Sequence, residues 1–174
     1  MSADGREPAP TRRALTFAAP WTALLFLSWP LAPSRAKLPR VVWTDIALLD
    51  GRVLRAAELS GRPVVVQIWA SWCPFCARQN PHLEALHRTH DGRLVVLGFS
   101  IDKTAQAARD YLQRNGYTFA TAMADPQVEK WFGRRRSLPE LFVVDRDGQV
   151  VLHELGEMFP EDVAALARFA LPKK

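Results

Sequence analysis

Two cysteines, Cys73 and Cys76, are the only thiols in the chain, and two residues separate them. They follow an apolar, β-branched run, Val64–Trp69, whose composition is typical of a strand buried on both faces. Pro74 comes directly after Cys73, and proline is well tolerated in the first turn of a helix. Cys73 is therefore predicted at a helix N-terminus, where unpaired N–H groups and the helix dipole favour a thiolate over a thiol. Cys76 would face the same side of that helix, so the spacing predicts thiol–disulfide exchange, with Cys73 as the exposed nucleophile and Cys76 as the resolving thiol.

A C-x-x-C motif also occurs in zinc sites, and two cysteines can instead form a structural disulfide. The chain has no second C-x-x-C, so a zinc site would need ligands from the histidines, which are His82, His87, His90 and His153. A structural Cys73–Cys76 disulfide would close a very short loop, which removes little chain entropy and stabilises a fold only weakly. Both alternatives stay open, but redox chemistry explains the motif better. We expect no metal and no cofactor beyond a redox-active Cys73–Cys76 disulfide.

The surrounding sequence alternates between predicted strands and helices. The helix that opens near Pro74 is expected to end at His90, with Leu83 and Leu86 facing inward and Pro81 bending it. The other predicted elements are a hairpin at residues 46–54, a helical turn at 56–59, a buried strand at 94–101, a helix at 104–115, a short helix at 125–132, a hairpin at 141–152 and a final helix from residue 160. This alternation is typical of βαβ units around a parallel sheet.

Three segments carry a family resemblance. Residues 69–76 resemble the W-x-x-W-C-x-x-C active-site segment of the thioredoxin superfamily, in particular of the exported TlpA/ResA-like disulfide reductases. Pro81 matches the kinking proline of their active-site helix, and residues 137–148 resemble their cis-proline strand and hairpin. The resemblance covers roughly residues 38–171. It implies an α/β thioredoxin fold: a central mixed β-sheet flanked by helices, with an N-terminal β-hairpin and a short inserted segment before the cis-proline strand.

The resemblance also implies roles for residues around the cysteines. Pro139 would follow a cis peptide bond, block metal capture by the thiols and leave the backbone of Leu138 free to pair with an extended substrate segment. The residues that would bind substrate and shape the site are Trp69, Trp72, Pro74, Phe75, Leu138 and Pro139. Trp131, on the short inserted helix, would either line a groove near the active site or pack in the core.

Two positions depart from the family pattern. Thioredoxins carry a buried carboxylate six residues before the first cysteine, where this chain has Gln67. Many cytochrome c maturation reductases carry a glutamate three residues after the second cysteine, where this chain has Gln79. An amide can form hydrogen bonds but cannot take the proton from Cys76. This departure counts against a role in cytochrome c biogenesis more than against the reductase chemistry.

The direction of the reaction is not fixed by the motif. The Pro74–Phe75 dipeptide begins with proline, as in oxidising DsbA-like proteins, but the scaffold lacks the large helical insertion of those oxidants. We therefore expect a protein-disulfide reductase, with a DsbA-like oxidant and a non-catalytic thioredoxin-fold binding module as alternatives. A reductase in an oxidising compartment needs a membrane thiol electron donor, of the DsbD or CcdA type, and its substrates would be disulfide-bearing exported proteins.

The composition fits one compact domain. The chain has 174 residues, 48% hydrophobic, and a formal net charge of +5. Its only dense basic cluster, at residues 134–136, is typical of a solvated surface loop, so no nucleic-acid partner is expected. A chain with only two cysteines has no spare thiol for a stable intermolecular disulfide, and we expect a monomer.

The first 36 residues differ from the rest. Arg12 and Arg13 precede an apolar stretch at residues 14–32, and residues 34–36 offer small residues at the spacing that a signal peptidase accepts. The stretch approaches the ~20 apolar residues of a membrane span but contains Pro20 and Pro30. We expect residues 1–36 to be an export signal or an inner-membrane anchor, and residues 37–174 to be a thioredoxin-like domain in the periplasm.

Overall fold

The computed structural model describes residues 40–171, so the expected export signal or anchor at residues 1–36 lies outside the described range. The strands, in chain order, are Ile46–Ala47 (β1), Val53–Leu54 (β2), Val64–Trp69 (β3), Val95–Ser100 (β4), Ala120–Met123 (β5), Glu140–Val144 (β6) and Val150–Leu155 (β7). The helices are Ala56–Leu59 (α1), Pro74–His90 (α2), Ala105–Asn115 (α3), Pro126–Phe132 (α4) and Pro160–Ala165 (α5), and a 3₁₀ helix, Leu166–Ala170, follows α5.

A mixed five-stranded sheet forms the centre of the fold, with the strand order β5-β4-β3-β6-β7. β3 and β4 run parallel, as do β4 and β5, whereas β6 is antiparallel to both β3 and β7. All six residues of β3 are buried, because the strand has a neighbour on each edge and packed layers on each face. The separate antiparallel pair β1–β2 is the predicted N-terminal hairpin. The expected architecture is therefore confirmed.

The helix termini follow their sequence signals. The Thr104 hydroxyl accepts a hydrogen bond from the Ala107 backbone N–H at 3.3 Å and so begins α3. Gly116 ends it in the left-handed conformation, with φ 66°, which glycine adopts without steric cost. The Asp125 carboxylate accepts bonds from two backbone N–H groups at the start of α4. The boundaries of α2 agree with the prediction at both ends, and Pro81 lies inside that helix.

Apolar side chains fill both faces of the sheet. On one face Leu83 and Leu86 of α2 pack with the buried residues of the C-terminal helices. On the other face Trp131 of α4 is 5% exposed and packs against Phe99, while its indole N–H donates to the Val42 carbonyl at 3.0 Å. Trp131 is therefore a core residue, and its alternative interpretation as a groove residue is wrong.

Two elements differ from expectation. The sequence pattern did not predict β5, whose Ala-Thr-Ala-Met sequence lacks a β-branched run and gains its order from pairing with β4. The last helix is α-helical only to Ala165 and continues as a 3₁₀ helix. In the part of the chain that the structure describes, no helix has the length and apolar character needed to cross a bilayer.

Candidate active site

The junction of β3 and α2 positions both cysteines. β3 ends at Trp69, a short turn follows, and α2 begins at Pro74. Cys73 is the N-cap residue of α2, and its Sγ accepts a hydrogen bond from the Cys76 backbone N–H at 3.2 Å. The sulfur thus satisfies one of the N–H groups that a helix N-terminus leaves unpaired. This confirms the predicted location of Cys73 at a helix start.

Both cysteines are free thiols, and neither is exposed: the exposed fraction is 3% for Cys73 and 0% for Cys76. The prediction of an exposed nucleophile is therefore wrong for this dithiol form, because the Cys73 sulfur turns inward to cap α2. The aromatic side chains of Trp72 and Phe75 do face solvent here and are 63% and 50% exposed. The buried residues packed with the cysteines, called the thiol cluster below, are Trp69, Ala70, Cys73, Cys76, Ala108 and Tyr111.

Burial affects the resolving thiol strongly. It raises the pKa of Cys76 far above the ordinary thiol value, and the hydrogen bond with Cys73 acts in the same direction. Cys76 therefore holds its proton at neutral pH. It can act as a nucleophile only after that proton has been released.

A buried carboxylate fixes the turn before Cys73. Asp102 follows β4 and is 6% exposed. Its carboxylate accepts hydrogen bonds from the Ser71 backbone N–H at 3.1 Å, from the Ser71 hydroxyl at 2.7 Å and from the Ser100 hydroxyl at 2.7 Å. Three bonds to one buried carboxylate hold the turn against the end of β4. The position of Cys73, two residues further on, depends on this anchor.

The loop before β6 lies beside the cysteines. The Leu138–Pro139 peptide bond is cis, as the family resemblance implied. Leu138 packs against the thiol cluster, and the Pro139 carbonyl accepts a hydrogen bond from the Gly156 N–H at 2.9 Å. Among residues 40–171, neither the N–H nor the C=O of Leu138 has a hydrogen-bond partner. The backbone of Leu138 is therefore available to an extended chain.

An apolar cavity of about 510 Å³ adjoins this loop and will be called the docking groove. Leu138, Phe75 and Phe159 form part of its lining, and Phe159 is 70% exposed. The Arg78 guanidinium stacks over the Phe75 ring at 4.7 Å and binds Glu157 with distances of 2.5 to 3.0 Å. The lining residues are Phe75, Ser137, Leu138, Gly156, Glu157, Met158, Phe159 and Pro160.

The six residues predicted to bind substrate and shape the site do not all lie at its surface. Trp72, Pro74 and Phe75 are exposed, Leu138 is partly buried beside them, and Pro139 is buried. Trp69 is fully buried in the thiol cluster, 5.2 Å from the Tyr111 ring, so its expected place on a docking surface is wrong. The reason is that Trp69 is the last residue of the central strand, where both faces are covered.

A chain of buried amides lies behind Cys76. The Gln67 amide donates to the Asn80 side-chain oxygen at 2.6 Å and accepts from the Gln79 amide at 2.7 Å. The Gln79 oxygen accepts from the Met158 backbone N–H at 2.7 Å, and Asn80 donates to the Tyr111 hydroxyl at 3.3 Å. Gln67 and Gln79 therefore form hydrogen bonds, as their side chains allow, and neither is a carboxylate that could accept a proton.

Sequence reasoning missed four polar residues near the site, and one of them is Asp102, the anchor of the turn before Cys73. Asn80 and Tyr111 complete the amide chain, and Glu140, 1% exposed, begins β6 directly after Pro139. For Asn80 the available signal was its spacing of one helical turn from Cys76, and for Glu140 it was an acidic residue inside an apolar strand run. Tyr111 had no local signal, since α3 meets the cysteines only through tertiary packing.

The structure offers no metal centre in its described part. Among residues 40–171, no three side chains of His, Cys, Asp or Glu come together in a way that could hold a metal ion. His82, His87 and His90 are spread along α2, and His153 lies on β7. These histidines do not gather around the cysteines.

Comparisons with known proteins agree with the geometry. The Redoxin family matches residues 33–168. The thiol-disulfide oxidoreductase ResA of Bacillus anthracis is 26% identical over 135 residues, which cover 77% of this chain and 76% of that protein. The thiol:disulfide interchange protein DsbE of Allochromatium vinosum is 32% identical over 143 residues, which cover 76% of this chain and 75% of that protein.

The fold has solved counterparts. A thiol:disulfide interchange protein of the thioredoxin family from Chlorobium tepidum superposes with a TM-score of 0.68 at 23% identity, covering 77% of this chain and 94% of that one. The family match includes the cysteine-bearing β3–α2 junction. The chain belongs to the Redoxin family, as a TlpA/ResA-like thiol-disulfide oxidoreductase of the thioredoxin fold.

Proposed function

We propose that the protein reduces disulfide bonds of exported proteins, with Cys73 as the attacking thiol and Cys76 as the resolving thiol. The observation that carries this proposal is the asymmetry of the pair. Cys73 caps α2 with its sulfur, next to two exposed aromatic side chains, whereas Cys76 is fully buried and holds its proton. The Cys73 sulfur, which caps the helix start and is 3% exposed, has to turn outward to meet a substrate disulfide, whereas Cys76 can act only within the protein.

The reaction proceeds in two exchanges. The Cys73 thiolate attacks one sulfur of the substrate disulfide, a Cys73–substrate disulfide forms, and the other substrate sulfur leaves as a thiolate and takes a proton from water. Cys76 then loses its proton and attacks the Cys73 sulfur. The Cys73–Cys76 disulfide forms, and the second substrate sulfur leaves as a thiolate. The substrate gains two electrons, and the protein is left oxidised.

The docking groove suits an extended segment of a substrate protein. The unpaired backbone groups of Leu138 can bond to a chain laid alongside them, and Phe75 and Phe159 can cover an apolar side chain next to the substrate cysteine. Trp72 would contact the same chain from the opposite side of Cys73. This assignment gives Trp72, Pro74, Phe75, Leu138 and Pro139 the binding roles that the family resemblance implied.

The reductase needs a location and a source of electrons. The Arg12–Arg13 pair and the apolar stretch at residues 14–32 support export to the periplasm or anchoring in the inner membrane. In that oxidising compartment a membrane thiol protein of the DsbD or CcdA type would return the Cys73–Cys76 disulfide to the dithiol. Residues 37–174 would then form the working domain.

The Pro74–Phe75 dipeptide supports a second candidate, a disulfide-forming oxidant, because the residues between the cysteines set the stability of the thiolate relative to the disulfide. Equilibration of the protein with glutathione buffers separates the two functions. A reduction potential near that of thioredoxin, about −270 mV, supports the reductase. A potential near that of DsbA, about −120 mV, overturns it in favour of the oxidant.

Trapping tests the assignment of the two thiols. In Cys76→Ser the mixed disulfide at Cys73 has no resolving thiol, so exported proteins should accumulate in covalent complexes that dithiothreitol releases. The matched control, Cys73→Ser, should trap nothing, because Cys76 lies inside α2, is 0% exposed and keeps its proton. If Cys76→Ser traps no more protein than Cys73→Ser does, the motif is inert and the protein is a binding module.

A further inference from the structure

The amide chain behind Cys76 has a defined direction. The Met158 backbone N–H can only donate, so the Gln79 oxygen is its acceptor, and the Gln79 nitrogen must donate onward to the Gln67 oxygen. The Gln67 nitrogen then donates to the Asn80 oxygen, and the Asn80 nitrogen is left to donate to the Tyr111 hydroxyl. Gln67, Gln79 and Asn80 are each 0% exposed. Every amide in the chain therefore donates toward Tyr111.

Tyr111 is the last member of this series of hydrogen bonds, and its own hydroxyl proton takes no part in them. Its oxygen accepts the hydrogen bond from Asn80, so its O–H must point elsewhere. Within residues 40–171 no group accepts a hydrogen bond from this proton in the dithiol form. The proton is therefore available to an acceptor that forms nearby.

The thiol cluster is where such a partner can form. Tyr111 belongs to the cluster together with both cysteines, and its ring packs 5.2 Å from that of Trp69. The negative charge of either thiolate acts on the Tyr111 hydroxyl and, after burial, is a further reason why the Tyr111 pKa is raised. Asn80, which holds the Tyr111 hydroxyl, lies one helical turn after Cys76 on α2, so the hydroxyl is held beside the face of the helix that carries Cys76. A thiol is a weak acceptor, but a thiolate is a strong one.

We propose that Tyr111 donates a hydrogen bond to the Cys76 sulfur when Cys76 becomes a thiolate, and that Asn80 positions Tyr111 for it. This inference rests on the proposed function, and it deepens it by naming the group that stabilises the resolving thiolate. Gln67 and Gln79 stand at the relay positions and cannot take the Cys76 proton, so the Cys76 thiolate depends on a neighbouring donor such as Tyr111 for stabilisation.

The attack of Cys76 on the mixed disulfide needs no protein base. Cys76 gives its proton to water, and Tyr111 keeps its own proton and shares it with the Cys76 sulfur as a hydrogen bond. The Cys76 electron pair forms the bond to Cys73, the bond from Cys73 to the substrate sulfur breaks, and that sulfur leaves with the electron pair. Once the Cys73–Cys76 disulfide has formed, the charge is gone and the hydrogen bond to Tyr111 weakens.

Few titratable groups of the described residues act on Tyr111 or pack against it. Cys76 and Cys73 act on it from α2, and Tyr117 packs against it from the segment after α3, with ring centroids 6.0 Å apart. Glu84 acts on Tyr117 rather than on Tyr111. Tyr117 has no side-chain hydrogen bond within the described residues and is half-buried beside Tyr111. It is therefore a matched control for removal of a tyrosine hydroxyl.

The experiment follows the two thiols separately with an aromatic disulfide, dithiobis(nitrobenzoate), whose thiolate product is coloured. Attack by Cys73 releases the first thiolate and resolution by Cys76 releases the second. We expect Tyr111→Phe to leave the first phase within about twofold and to slow the second phase roughly three- to tenfold at neutral pH, because the Cys76 thiolate becomes rarer. The second phase should regain its rate as the pH rises.

Three results would decide against the inference. Tyr111→Phe could match the wild type in the second phase, Tyr117→Phe could slow that phase equally, or Tyr111→Phe could slow both phases by the same factor, as a general packing defect would. Absence of the first phase in the wild-type protein would instead contradict the proposed function. The expected result is a selective effect on the second phase in Tyr111→Phe alone.

Discussion

The buried carboxylate of Glu140 and the imidazole of His153 are joined by a 2.7 Å hydrogen bond across the β6–β7 pair. The other Glu140 oxygen accepts the Arg136 backbone N–H at 3.0 Å, and the Arg136 guanidinium lies 3.4 Å from His153 Nδ1. Since a guanidinium can only donate, Nδ1 is the acceptor. Nε2 therefore carries the ring proton and donates the hydrogen bond to Glu140. The three residues close a ring around the loop that leads to Pro139. This ring holds the wall of the docking groove to the sheet.

Glu140→Ala should destabilise the protein by roughly 2–4 kcal/mol, because the His153 and Arg136 donors lose a charged, buried acceptor. Urea unfolding measures the change. Glu154→Ala is the matched control, since Glu154 is the neighbour of His153 on β7 but is exposed, and its side chain has no hydrogen-bond partner within the described residues. Equal stability of the two variants would contradict a structural role for the ring.

Local signals in the sequence were enough for the elements that hold the cysteines. A six-residue apolar run, a proline after Cys73 and the Asp91–Gly92 pair predicted both β3 and the full length of α2. What the sequence did not predict depends on distant contacts. β5 is ordered by β4, Cys73 is covered by residues from other elements, and Tyr111 reaches the thiols from a helix that begins 29 residues after Cys76. The spacing of residues along one helix or strand carries no information about such tertiary contacts.

The reduced protein should lose stability as the pH rises above the ordinary thiol range. The unfolded chain releases the Cys76 proton near the ordinary pKa of 9.0, whereas the folded dithiol protein keeps it to higher pH. Between these two pKa values the unfolded state binds fewer protons than the folded state, so the free energy of unfolding falls as the pH rises. Below both pKa values the full stabilising contribution of the Cys76 thiol is present. Urea unfolding in dithiothreitol from about pH 8 to about pH 10 measures this, and Cys76→Ser should show a smaller decline. A Cys76→Ser variant with the same pH profile as the wild type would contradict the raised pKa.

Phe159 should increase the rate at which protein disulfides are reduced and should not affect the rate with small disulfides. Its side chain is 70% exposed on the wall of the docking groove, so covering it with a substrate chain removes apolar surface from water. We expect Phe159→Ser to lower kcat/KM for a protein disulfide about tenfold and to leave the rate with a small aromatic disulfide unchanged. Val42→Ser is the control, because Val42 is 72% exposed and does not line the groove. A loss with the small disulfide as well would show that Phe159 acts on the cysteines rather than on docking.

Gln67→Leu should be strongly destabilising although the two side chains have similar volumes. Gln67 is 0% exposed, and leucine would leave the Gln79 amide without its acceptor and the Asn80 oxygen without its donor. Two unpaired buried groups cost roughly 2–4 kcal/mol in the free energy of unfolding, which urea titration resolves. Gln113→Leu on the exposed face of α3 is the control and should change stability by less than about 0.5 kcal/mol. If Gln67→Leu were as stable as the wild type, the amides would not be paired in the folded protein, and Asn80 would have no fixed orientation toward Tyr111.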